Sequence, residues 1–216
     1  MMETWISGWP LYQTAYLSTW VIALGLSLSG LMLVGRGRLF LAAATAQTAT
    51  TSLSLLFWLG GVSGVLSADH TLLTYLVPWL SATLVSVIAL RHRQRDIQAP
   101  PDASTVVVFL GMGSASMLLM AHHPHGMADI QRLLTSSLIG ASDQDLLLSL
   151  VWTGLIIGIL RMAYRPLLFV VLDPESARDQ GLNVAGWEML MGLMVGTAIG
   201  LSLSVGGLPY AFAYLI

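Results

Sequence analysis

Three histidines fall within four positions, His122, His123 and His125, beside Pro124, with Asp129 four residues beyond the last. Imidazoles this close could capture Zn²⁺ or Mn²⁺, with the carboxylate as an oxygen ligand; the alternative is a solvated polar loop. The pair Asp69/His70 is a weaker version of the same pattern, and His92 lies among arginines, where a cation would be repelled. A second charged constellation, Leu172-Asp173-Pro174-Glu175-Ser176-Ala177-Arg178-Asp179-Gln180-Gly181-Leu182-Asn183, carries no ligand set but reads as a punctuated helix. Asp173 suits an N-cap, Pro174 the first helical turn and Gly181 a left-handed stop, giving about two turns lying parallel to a membrane with a charged outer face. Alone, that segment is a common loop helix or a docking element.

Other chemistry is excluded by composition. The chain has no cysteine, so neither a disulfide nor a thiolate metal site arises. It also has no lysine, so it cannot carry the phosphate loop whose lysine reaches a bound nucleotide. If ATP drives this protein, another chain must hydrolyse it. No histidine pair falls within an apolar run, which leaves a membrane enzyme or haem-binding bundle without support.

The elements that must position these residues are apolar helices. Hydrophobic residues make up 56% of the 216 and charged residues 9%, outside the range of a soluble domain of this size. All nine basic residues are arginines, and eight lie in three clusters: Arg36/Arg38, Arg91/Arg93/Arg95 and Arg161/Arg165/Arg178. Between them run stretches long enough to cross roughly 30 Å of hydrocarbon. The expected architecture is an all-α polytopic membrane protein, a single transmembrane domain over residues 1–216. Its spans fall at about 11–34, 41–66, 71–90, 104–121, 146–164 and 187–205. That makes about six complete helices and a truncated seventh at 207–216, opened by Gly206-Gly207-Leu208-Pro209. The truncation suggests a fragment or a short family member. Residues 133–142 are too short to cross and read as a re-entrant or interfacial piece. Placing the N-terminus outside puts eight arginines on the cytoplasmic side and only Arg132 opposite, with the longest internal loop at 165–188.

Within the bundle, Gly192, Gly196 and Gly200 recur every fourth residue and should let a neighbouring helix approach closely. The Thr/Ser-rich run Thr45–Ser54 either lines a polar path or bonds across helices. No ionisable group sits in the middle of a span, which disfavours proton-coupled transport.

These residues resemble a known family, the integral membrane permease subunits of zinc/manganese-type metal ABC transporters. The resemblance rests on the D-P-E-x-A-x-x-x-G-L pattern at Asp173–Leu182, the Arg36–Arg38 turn, the approach to the fourth span at Asp102–Phe109, the stretch Leu138–Leu146, and Gly206-Gly207. It takes in nearly the whole chain, in order, through motifs that are each moderately specific. It implies a type II importer-like permease fold, with Asp173, Pro174, Glu175, Ala177, Arg178 and Gly181 forming the segment that docks in a groove of a cytoplasmic ATPase subunit. It further implies an extracytoplasmic metal-binding protein, a permease dimer of like or unlike halves, a place in the lipid bilayer of the plasma (inner) membrane, and no nucleic-acid partner. The same resemblance implies that the chain itself binds no cofactor and that the transported metal is Zn or Mn.

One departure stands out. The family's second span opens with aspartate followed four residues later by histidine along the metal path; here those positions are Ala43 and Gln47. Alanine cannot ligate, and a neutral amide is a poor substitute for imidazole. Two readings follow: a permease importing divalent metal, or a degenerate non-conducting subunit paired with an intact permease.

Overall fold

The computed structural model describes residues 2–38, 40–63, 71–91, 103–121 and 143–215. In them lie α1 (Met2–Gly35), α2 (Phe40–Ser63), α3 (Thr71–Arg91), α4 (Ala103–Ala121), α5 (Asp143–Leu172), α6 (Pro174–Asp179) and α7 (Val184–Leu215). Among the described residues there is no strand, as expected where the surroundings offer the backbone no hydrogen bonds and each segment must satisfy its own. Five of the helices are long and apolar enough to cross a bilayer, and α3 contributes a shorter apolar stretch, Leu76–Leu90.

The core joins Ile22, Leu26 and Leu33 of α1, Leu41, Ala46 and Ala49 of α2, Ala82 of α3, Ile156 and Val170 of α5, and Val195 and Ile199 of α7. α2 lies among α3, α4 and α7, while α1 packs on α5 and α7. Large apolar side chains cover much of the outer surface: Met162 is 92% exposed, Met117 72% and Leu147 66%. Such a surface suits lipid and not water, so the chain is a multi-pass membrane protein.

The glycine repeat brings two helices into close contact. Gly192, Gly196 and Gly200 face Val87, Thr83 and Trp79, three α3 residues also spaced four apart and running in the opposite direction. A Cβ on Gly192 would lie 2.7 Å from Val87 Cα, and one on Gly200 2.9 Å from Trp79 Cα. The helices meet backbone to backbone, which only the bare glycine face allows. The threonine and serine run of α2 bonds in part within its own helix, Thr45 to Leu41 O and Thr50 to Ala46 O at 2.9 Å. It also reaches across: Thr51 donates to Met112 O at 2.7 Å, Ser52 meets Ser81 at 2.8 Å and Ser54 meets Ser116 at 3.1 Å.

Several boundaries differ from the sequence expectation, beginning with α1, which starts at Met2 and not at about residue 11. The span placed at 146–164 runs from Asp143 to Leu172, straight through Pro166. The residues expected as a loop at 165–188 are therefore helical at both ends, with the turn segments and α6 confined to 173–183. The break expected between 205 and 207 is absent: α7 continues past Gly206, Gly207 and Pro209 to Leu215. At Pro166 and Pro209 the proline removes one hydrogen bond, whereas ending the helix would leave several backbone groups without partners in an apolar setting. Residues 133–142, with the loops around 68–70 and 122–132, lie outside the described residues.

Candidate functional site

α6 is a short helix defined at both ends by its own side chains and turns. The Asp173 carboxylate accepts from the backbone N–H of Ser176 at 3.0 Å and of Glu175 at 3.2 Å, while the Ser176 hydroxyl donates to its other oxygen at 2.5 Å. Pro174 follows at the first helical position, where its missing N–H costs nothing. Those bonds, led by the Ser176 hydroxyl and then its N–H, hold the Asp173 carboxyl below its ordinary range, against a small opposing effect of burial.

The other end closes as a Schellman turn. Gly181, at φ +80, donates to Arg178 O at 2.9 Å, and Leu182 donates to Ala177 O at 3.1 Å. Ala177 is fully buried and Leu182 packs against the same core, so α6 is anchored by one apolar edge. Glu175, Arg178, Asp179 and Gln180 are exposed on the other. The Asn183 side chain then caps α7, accepting from Gly186 N at 3.1 Å. The segment is a rigid, charged knuckle between two long helices.

The turn after α1 repeats the same geometry. Gly37, at φ +64, donates to Val34 O and Arg38 donates to Leu33 O, both at 3.0 Å. From this turn Arg36 Nη2 donates to Glu188 Oε1 of α7 at 2.9 Å, with the two side chains 15% and 16% exposed. Arg38 Nη1 donates to the carbonyl of Ala89, in the last turn of α3. The sequence offered these arginines as topology markers and as a motif of the resemblance, not as a contact. Their partners are a residue 152 positions away and a main-chain oxygen, and no spacing rule points to either.

Ala43 and Gln47 lie half-buried one turn apart on α2. Gln47 packs toward Gly113 of α4, where an added Cβ would meet its Nε2 at 3.1 Å, and the next residue on this face is Thr51. The face therefore offers amide and hydroxyl groups. Among the described residues no three histidines or carboxylates gather in a metal-binding arrangement. His122, His123, His125 and Asp129, together with Asp69, His70 and His92, lie outside the described residues.

Residues 9–216 match the ABC 3 transport family. A protein of Treponema pallidum (strain Nichols) described as "Probable metal transport system membrane protein" is 28% identical over 106 residues, 48% of this chain and 38% of that protein. The match thus takes in well under half of the relative's length. PsaBC from Streptococcus pneumoniae in complex with Fab superposes on 100% of this chain and 74% of its own, with a TM-score of 0.76 at 16% identity. An ABC transporter described as of metal-chelate type, in an inward-facing conformation, covers 96% of this chain and 67% of its own, with a TM-score of 0.71 at 15% identity. At those identities the superpositions show a shared fold.

Proposed function

The chain belongs to the ABC 3 transport family, and from that premise we propose that it is the membrane permease subunit of an ABC importer of divalent metal ions, zinc or manganese. ATP hydrolysis belongs to a separate cytoplasmic subunit, and an extracytoplasmic protein delivers the metal. Two permease halves, like or unlike, assemble in the plasma membrane with the N-terminus outside. The observation that carries this reading is α6: a doubly capped helix anchored through Ala177 and charged on its free side, placed between two helices of the bundle. A motor pressing on such an element moves α5 and α7 with it, since the caps leave α6 little freedom to absorb the motion.

The test is uptake. In proteoliposomes holding the complex with its co-purified ATPase, radioactive manganese(II) or zinc(II) should accumulate only with ATP. Removing Asp173–Gly181 should abolish accumulation, and uptake that survives the deletion would count decisively against the proposal.

The amide and hydroxyl character of the Ala43/Gln47 face supports a second reading, a non-conducting half that pairs with an intact permease. Restoring the pair as Ala43→Asp with Gln47→His separates the two. Metal uptake gained only by the restored chain favours the non-conducting half; uptake by the native chain, unimproved by restoration, eliminates it.

A further inference from the structure

We propose that the Arg36–Glu188 ion pair is a strut carrying movement of α6 to the α1–α2 turn, which makes Arg36 a positioning residue for energy coupling; this rests on the permease reading above. Glu188 stands at the start of α7, which α6 reaches through only the short link Gln180–Asn183. Whatever displaces α6 displaces Glu188. Arg36 comes from a turn stiffened by its own paired backbone bonds, and the same turn grips the end of α3 through Arg38 and the Ala89 carbonyl. The end of α5 packs closely on it as well: a Cβ on Gly35 would meet Val171 Cγ1 at 2.5 Å. The two-arginine turn thus joins the cytoplasmic ends of α1, α3, α5 and α7.

The geometry of the pair fits a link that is remade during movement. A guanidinium binds a carboxylate most strongly through two parallel N–H donors. Here Nη2 makes one bond to Oε1, while the buried Nε has no acceptor among the described residues. The unused Nε leaves the guanidinium one donor with which to take a second bond from the carboxylate when α7 moves Glu188. A desolvated ion pair contributes little net stability compared with apolar packing but is costly to break from one side. That combination suits a mechanical link better than a stabilising one.

The experiment measures manganese(II) uptake and phosphate release in the same proteoliposomes, using the complex with its co-purified ATPase. Glu188→Gln and Arg36→Gln should lower uptake per ATP by about fivefold or more, the range of ordinary coupling energies, while ATP turnover continues. The exchanged pair, Arg36→Glu with Glu188→Arg, should recover most of the ratio. Glu188→Asp keeps the charge and shortens the reach by one methylene; it should assemble normally and still lower the ratio. Uptake and ATP turnover that fall together at constant ratio, or a Glu188→Asp complex with the native ratio, would overturn the strut alone. No ATP-driven uptake by the native complex would overturn the strut together with the permease reading.

Discussion

Replacing Gly196 by alanine inserts one methyl into the α3–α7 contact, and the structure says what it meets. The new Cβ would sit against Thr83 Cα, with Ala82 O and Thr83 N both at 2.8 Å. All three are backbone atoms, so no rotamer change relieves the clash. Ordinary contact begins at 3.4 Å; clearing Ala82 O and Thr83 N takes ~0.6 Å and the closer Thr83 Cα takes more, so α7 must retreat farther than that, loosening Gly192 from Val87 and Gly200 from Trp79 as well. Overpacking of this kind costs about 1–3 kcal/mol, against which alanine returns about 1 kcal/mol of helix propensity. The net expectation is a loss of up to roughly 2 kcal/mol. The matched control is Gly158→Ala on α5, where nothing lies within 4 Å and propensity alone should act, leaving stability unchanged or raised by up to about 1 kcal/mol. Equilibrium unfolding of the detergent-solubilised protein, followed by tryptophan fluorescence, measures both variants. A Gly196→Ala protein as stable as its Gly158→Ala counterpart would refute the backbone-contact argument.

Other outcomes follow from the same structure. The Asp173 carboxyl has a lowered folded-state pKa, so its contribution to the α6 cap is complete above the ordinary value of 3.8 and is lost as pH falls through the lower folded value. Amide protection at Glu175 and Ser176, corrected for intrinsic exchange, should fall in that acid window in the native chain and vary less with pH in Asp173→Asn. Gly181→Ala forces a side chain into φ +80 and should cost about 1–2 kcal/mol locally, read as faster proteolysis at α6, with Gly181→Asn milder. Thr51→Val deletes the bond to Met112 O that ties α2 to α4 and should lower unfolding stability by about 0.6 kcal/mol, with Ser54→Ala similar through Ser116.

Much of this protein could be read from residue order alone because its signals are local. Lengths of uncharged chain imply helices, since an apolar medium admits no other open backbone arrangement. Asp173, Pro174 and Gly181 announce a short capped helix through bonds that span at most a few residues, and the glycine repeat announces a close approach. That an alanine and a glutamine stand at positions 43 and 47 was likewise visible as residue types.

What the linear pattern left open depends on how competing local preferences are resolved by surroundings. Pro166, Gly206, Gly207 and Pro209 are helix breakers in water; within the bundle the helix continues, because a single lost bond costs less than exposed backbone. The identity of the glycines' partner, α3, and the division of the α2 hydroxyls between their own carbonyls and those of α4 required three-dimensional placement. So did the pairing of Arg36 with Glu188 and of Arg38 with Ala89 O. Sequence by itself determined that the chain is built of apolar helices and where charge can lie, because those follow from each residue's own transfer energy and backbone preference. Only the tertiary structure decided which charges meet, because an ion pair across 152 residues is a property of helix packing and leaves no periodic trace in the chain.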